Sequence, residues 1–258
     1  MQKGFIFDLD GTIYLDKELI DGANDTINQL NASGHKVVFF TNKSIETVES
    51  YVKKLTGFGI EASRENVINS NILTAKFLQE NVKEDEKVLV IGESPLFDEL
   101  EEYDIQTSDN PLAVKYVVLG WDRTFTYDKI NLAYQAWLNG AKIIATNPDR
   151  TCPLEDGQVP DCGAMIGALE GATGEPITTI LGKPSVDAAK YIVESVLQLP
   201  KDQCYMVGDR IETDIKMGND YGINTILVLT GITNKQLAAQ SSIKPTYTFD
   251  SVNDIVAL

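Results

Sequence analysis

Residues 8–12 read Asp8-Leu9-Asp10-Gly11-Thr12, directly after the apolar run Gly4-Phe5-Ile6-Phe7. Two carboxylates therefore stand where a short buried strand ends and a turn begins. Open α/β sheets gather their ligands in the crevice beyond the carboxyl ends of the strands, so a strand-end Asp-x-Asp points towards a site. The same five residues also read as an Asx-type turn closing a strand. An EF-hand loop is excluded, because Thr12, Ile13 and Leu19 stand where an acid or amide, a glycine and a glutamate are needed.

Three further stretches carry chemistry-bearing residues at predicted strand ends. Phe39-Phe40-Thr41-Asn42-Lys43-Ser44 leads from a strand towards a helix and offers a hydroxyl, an amide and helix N-terminal N–H groups, a cradle for an anion. Taken alone these are also ordinary capping residues. Thr179-Ile180-Leu181-Gly182-Lys183-Pro184-Ser185 places Lys183 after another apolar run, with Pro184 suited to a first helical turn. It is not a phosphate-binding Walker loop, since Ile177 and Pro184 occupy the positions of its first glycine and its hydroxyl residue. Cys204-Tyr205-Met206-Val207-Gly208-Asp209 runs from a strand into acids that include Asp214. Hard carboxylate oxygens suit Mg²⁺, which keeps several waters and takes one or two carboxylates together with substrate phosphate oxygens. Asp8 and Asp209 can supply those direct bonds and Asp214 can hold a metal-bound water, although acids at a helix start also suit the macrodipole.

The elements that must position these residues follow a simple rhythm. Strands at about 4–8, 36–41 and 66–69 alternate with helices at about 22–33 and 44–57. Strands at about 177–181, 204–207 and 224–229, separated by helices at about 185–198 and 211–221, complete the same sheet. This predicts an α/β fold with a doubly wound, parallel, Rossmann-like sheet and right-handed crossovers. Between the halves lies a segment with its own strands at Val88–Ile91, Tyr116–Leu119 and Lys142–Ala145. Its helix at about 127–139 carries Ile130, Ala133, Tyr134, Trp137 and Leu138 as a core stripe. The division expected is a core of residues 1–82 plus 177–258 and an inserted, smaller α/β domain over 83–176.

The 258 residues can bury a full core. Their 38 acidic and 22 basic side chains give a formal net charge of −16, which argues against a nucleic-acid or anionic-membrane surface and requires a local positive centre for any anionic substrate. No apolar run approaches the roughly 18 residues of a membrane span and no signal sequence opens the chain, so a cytoplasmic protein is expected. Cys152, Cys162 and Cys204 fit reduced thiols better than a disulfide or zinc framework. A histidine-dependent triad would have to use His35, the single histidine, which reads instead as an exposed residue at the start of a strand.

Together the four stretches, in the order Asp-x-Asp, Thr-Asn, Lys-Pro and Gly-Asp-x₄-Asp, resemble the haloacid dehalogenase (HAD) superfamily of phosphohydrolases over essentially the whole chain. The stretch between Asp10 and Thr41 has room for one crossover helix only, so the inserted cap falls between Asn42 and Lys183. That pattern is similar to the NagD-like branch, subclass IIA, as are Ile143-Ile144-Ala145-Thr146-Asn147-Pro148-Asp149, Gly163-Ala164-Met165-Ile166-Gly167-Ala168 and Val228-Leu229-Thr230-Gly231. The resemblance implies a Mg²⁺-dependent phosphatase of small phosphorylated metabolites such as sugar phosphates, glycerol phosphate or nucleoside monophosphates, with p-nitrophenyl phosphate as a generic substrate. Asp8 would be the nucleophile that forms an aspartyl phosphate, and Asp10 the acid and base, its carbonyl helping to hold Mg²⁺. Thr41, Asn42 and Lys183 would bind phosphate, and Asp209 and Asp214 the metal. Lys43 departs from the second asparagine of many relatives, and its position would bear on substrate specificity through the substrate or Asp10. The cap loop Asn147 to Gly163, with Asn147, Asp149 and Arg150, is expected to set specificity, unless Asn-Pro-Asp is only turn chemistry. Relatives of this type often pair through the cap, which makes a homodimer an expectation. A phosphate-binding sensor or partner protein with negligible turnover is the rival reading, and a phosphomutase is disfavoured by the position of the cap.

Overall fold

In a computed structural model, which describes residues 1–154 and 157–257, the first strand, Gly4–Phe7, lies in the middle of the main sheet. Among the described residues that sheet has six strands, in the order Tyr247–Phe249, Asn224–Val228, Cys204–Gly208, Gly4–Phe7, Lys36–Thr41 and Val67–Asn69. Every neighbouring pair is parallel. The chain leaves Gly4–Phe7 for Lys36–Thr41 on one side and returns to Cys204–Gly208 on the other, so the order reverses at the strand that delivers Asp8.

Side chains alternate across this sheet and build two cores. Phe5, Phe7, Val37, Phe39 and Val207 pack on one face against Ile27 and Leu30 of helix Ala23–Ala32 and Tyr51 and Leu55 of helix Val48–Gly57. Ile6, Val38, Phe40 and Met206 pack on the other against Ala188, Ile192 and Val193, and against Met217 and Tyr221 of helix Lys216–Tyr221. Burying each of these large apolar side chains stabilises the fold by roughly 1.5–3 kcal/mol. Helix Val186–Tyr191 runs on through a π-helical stretch, Ile192–Leu197, and Lys216–Tyr221 follows another, Ile211–Ile215.

The inserted lobe has a parallel three-stranded sheet of Lys87–Ile91, Val114–Leu119 and Lys142–Ala145. Helices Tyr127–Leu138 and Cys162–Thr173 cover one face, through Ala133, Ala136, Met165 and Leu169. Helices Ser70–Asn81 and Ser94–Glu102 cover the other, through Ala75, Leu78, Leu96 and Leu100. Ser70–Asn81 thus packs largely with this lobe, while its Leu73 belongs to the main core.

Four local expectations are corrected. Residues 177–181 do not extend the main sheet. Ile180 instead bridges Ala145, whose N–H donates to Thr179 O at 3.0 Å while Leu181 N donates to Ala145 O at 3.0 Å. Ile177, Ile180 and Leu181 bury against the inserted lobe, where their apolar partners are. The helix expected from 44 begins at Val48, after an N-cap Thr47 whose hydroxyl accepts from Ser50 N, because Ser44 is spent on Trp121 N instead. In helix Tyr127–Leu138, Leu138 is exposed and the small Ala133 and Ala136 face the sheet, with Tyr134 and Trp137 stacked beside them. His35 is half-buried rather than exposed, its Nδ1 accepting from Lys3 N. Among the described residues no helix is long and apolar enough to cross a membrane.

Candidate active site

Asp8 follows the central strand and stays tied to the sheet, its N–H donating to Val207 O at 2.8 Å. Its carboxylate is buried and pairs with Lys183, and Thr12 Oγ1 lies 3.5 Å from its second oxygen. Lys183 also reaches Asp214 Oδ1 at 2.8 Å. Asp8, Asp209 and Asp214, all buried, each offer an oxygen within 4.8 Å of the others.

The loop after strand Asn224–Val228 holds Asp209 in place: Ile232 N donates to Asp209 Oδ2 at 2.6 Å, and Thr230 Oγ1 donates to Gly11 O at 2.6 Å. This close approach requires glycine at two points. A Cβ on Gly231 would lie 2.1 Å from Asp209 Oδ2, and one on Gly11, whose φ is +88°, 2.7 Å from the same atom. Asp209 Oδ1 is left buried without a hydrogen-bond partner among the described residues. Burial, reinforced by Asp214, pushes the Asp209 carboxyl up to about 7. Burial also raises Asp8 well above the usual carboxylate range, opposed by Lys183. Burial alone would lower Lys183, but Asp214 and Asp8 outweigh it and hold the ammonium charged. Three buried hard carboxylates, two of them paired with one lysine and the third, Asp209, with an orphaned oxygen, are a donor set that fits a divalent cation.

Asp10 is oriented differently. Its Oδ1 pairs with Lys43 Nζ at 3.0 Å and Tyr14 Oη lies 3.5 Å from Oδ2, outside the Asp8–Asp209–Asp214 cluster. Lys43 is thereby raised, Asp10 overcoming the effect of burial. Asn42 joins the segments: its Oδ1 accepts from Lys183 N at 2.8 Å, and its Nδ2 donates to Lys183 O at 3.0 Å and to Asp149 Oδ2 at 2.9 Å. Thr41 Oγ1 accepts from Lys43 N at 3.2 Å.

One cavity between core and cap is lined by Asp8, Asp10, Thr41, Asn42, Lys43, Lys183 and Asp214, so the motifs spread along the chain meet there, with Asp209 behind. Of the cap residues singled out from the sequence, Asp149 lines the cavity. Asn147 is fully buried behind it, donating to Asp149 Oδ2 at 3.2 Å and Asp161 Oδ1 at 3.1 Å. Arg150 is exposed and is not among the lining residues. Glu155 and Asp156 of the same loop lie outside the described residues. Sequence reasoning missed Arg210, Cys152, Pro153, Asp161 and Thr213, which also line the cavity. Arg210 carried a signal, standing directly after Asp209. Cys152, Pro153 and Asp161 fall in the loop expected to set specificity but are not distinguishable there, because only the antiparallel pairing of Thr151–Leu154 with Gly157–Pro160 and the helix start at Cys162 bring them to the cap wall.

Comparison with known proteins agrees with this geometry. Residues 5–106 match the family described as haloacid dehalogenase-like hydrolase, and residues 180–255 a second HAD-hydrolase-like family. The chain is 38% identical to the sugar phosphatase AraL of Bacillus subtilis over 99% of its own length and 92% of that protein, and 36% identical to an acid sugar phosphatase of Staphylococcus saprophyticus over 98% and 96%. Its fold superposes on a p-nitrophenyl phosphatase from Archaeoglobus fulgidus with a TM-score of 0.93 at 33% identity, covering 100% of this chain and 99% of that one. NagD from Escherichia coli K-12 gives 0.87 at 28% identity, covering 98% and 97%. The chain belongs to the haloacid dehalogenase-like hydrolases, in their NagD-like branch, subclass IIA.

Proposed function

We propose that this hydrolase is a Mg²⁺-dependent phosphatase of small phosphorylated metabolites, sugar phosphates first among them, working through an aspartyl phosphate on Asp8. The observation that carries the reading is the division between two aspartates two residues apart. Asp8 sits in the buried carboxylate cluster against Lys183, and Asp10 sits outside it on Lys43. A nucleophile and a proton carrier need such different surroundings.

In the first step an Asp8 carboxylate oxygen attacks phosphorus in line, the ester P–O bond breaks, and protonated Asp10 gives its proton to the departing alkoxide. In the second, Asp10 takes a proton from water as that water attacks phosphorus. The bond from phosphorus to Asp8 then breaks, freeing inorganic phosphate and restoring the carboxylate. Thr41, Asn42 and Lys183 hold the phosphoryl oxygens, where stabilising charge is the principal task of phosphoryl-transfer catalysis. Asp8, Asp209 and Asp214, with the Asp10 carbonyl, would hold Mg²⁺, which supplies positive charge to the transferring phosphoryl group. The cap closes the cavity against water and meets the leaving group.

The sugar phosphatases among the relatives support the substrate class, and p-nitrophenyl phosphate serves as a generic ester. The buried free thiols of Cys152, Cys162 and Cys204 support a cytoplasmic setting. Pairing of two copies through the cap belongs to the same reading and rests on the resemblance to the NagD-like branch. Phosphate release from sugar phosphates, glycerol phosphate, nucleoside monophosphates and p-nitrophenyl phosphate, with Mg²⁺ or EDTA, tests the proposal. Mg²⁺-dependent turnover strongest on sugar phosphates is expected. Phosphate binding without release would favour the sensor instead.

A further inference from the structure

The cap wall of the cavity consists of Asp149, Cys152, Pro153 and Asp161. The two carboxylates differ in what they have left to offer. Both oxygens of Asp149 are engaged: Oδ1 with Arg210 Nη1 at 3.3 Å, and Oδ2 with Asn42 Nδ2 at 2.9 Å and Asn147 Nδ2 at 3.2 Å. Asp161, only 4% exposed, is fixed through one oxygen alone. Its Oδ1 accepts from Asn147 Nδ2 and from Cys162 N, capping helix Cys162–Thr173, while its own N–H donates to Arg150 O at 3.0 Å. Its Oδ2 makes no hydrogen bond among the described residues, yet the side chain lines the cavity that contains Asp8 and Asp10. It forms no ion pair either. The cations that share the lining are committed elsewhere, Lys43 to Asp10, Lys183 to Asp8 and Asp214, and Arg210 to Asp149.

Resting on the phosphatase reading, we infer that Asp161 determines specificity by accepting, at Oδ2, a hydrogen bond from a hydroxyl of the leaving group. A rigid, buried acceptor that forms no ion pair among the described residues, with nearby Arg210 already paired to Asp149, favours an alcohol that brings its own O–H donor. It disfavours a leaving group with a second acidic function, because a carboxylate or further phosphate would meet Asp161 with no free positive charge to offset the repulsion. The cavity therefore selects esters of neutral polyhydroxyl alcohols. Asn147 is a positioning residue in this arrangement, since one amide holds both cap carboxylates.

The test compares Asp161→Asn and Asp161→Ala with the wild type on three esters: a sugar phosphate, p-nitrophenyl phosphate, which has no hydroxyl, and phosphoglycolate, whose leaving group is acidic. Asparagine keeps the helix cap, so Asp161→Asn should fold even if the alanine variant does not. For Asp161→Asn, kcat/KM on the sugar phosphate should fall about ten- to a hundredfold, the size of a hydrogen bond to a charged group, chiefly through KM. The value on p-nitrophenyl phosphate should stay within about twofold and that on phosphoglycolate should rise. Equal losses on all three esters, or no loss on the sugar phosphate, would overturn the assignment while leaving the phosphatase intact. A wild-type protein that releases phosphate from none of them would overturn the phosphatase reading, and this inference with it.

Discussion

Lys183 and Lys43 show how two residues of one type take different tasks from their surroundings. Lys183 is 3% exposed and neutralises two carboxylates, so its removal strips charge from the phosphoryl site and leaves Asp8 and Asp214 unpaired in a buried place. Lys183→Ala is expected to lower kcat/KM by about a hundredfold or more and to lower the melting temperature as well. Steady-state kinetics and thermal melts check this, and near-wild-type values in both would mean that the pair is idle. Lys43 holds Asp10, the carboxylate that carries the proton in the proposed mechanism. Lys43→Ala should therefore reduce kcat by about tenfold or more with little change in stability, and an unchanged kcat would remove Lys43 from the catalytic arrangement. The sequence displayed both lysines, but no spacing rule could say that Lys43 would turn to Asp10, because that contact depends on the loop before Thr47.

Several polar links join core and cap around the cavity. Arg210, two residues past strand Cys204–Gly208, donates to Thr151 O at 3.1 Å as well as pairing with Asp149, and Asn42, just after strand Lys36–Thr41, also reaches Asp149. Arg210→Ala is expected to loosen the closed cap, raising KM several-fold and hydrogen exchange along residues 147–154, with wild-type exchange as the contradicting result. One buried carboxyl of the cap makes stability pH-dependent. Glu99, on cap helix Ser94–Glu102, is raised from 4.5 to about 7 by burial and by Glu102, with Arg64 opposing, and its Oε1 has no hydrogen-bond partner among the described residues. The folded chain therefore holds this proton more tightly than the unfolded one. Stability is lost as pH rises from about 4.5 to about 7. Glu99→Gln should raise the melting temperature by a few degrees at pH 8 and leave it unchanged at pH 4, whereas equal shifts at both would place the effect in packing. At this scale the alternation of strands and crossover helices was legible, because the period of buried residues is local. The destination of residues 177–181 was not, since an apolar run states that it must be buried without naming the sheet that buries it.

Across the whole molecule, an excess of 16 negative charges surrounds a site that handles an anion. Lys183 acts at contact, as a divalent cation held by the buried carboxylates would, while distant surface charges are screened beyond about 8 Å at physiological ionic strength. The parallel core and the convergence of Asp8, Thr41, Asn42, Asp209 and Asp214 were readable from motifs at strand ends, because sheet topology forces those ends together, whereas Lys183 arrives from a segment bridged to the cap strand at Ala145. The cap wall was less readable: Asp161 and Cys152 reach the cavity through tertiary packing that leaves no periodic trace. Whether the Asp8 carboxylate is the nucleophile is decided by Mg²⁺-dependent phosphate release from a sugar phosphate by the wild type and by Asp8→Asn, each shown to be folded. A fall of at least about a thousandfold in the variant is expected. Turnover comparable to the wild type would contradict the account, because no aspartyl phosphate could then form at that position.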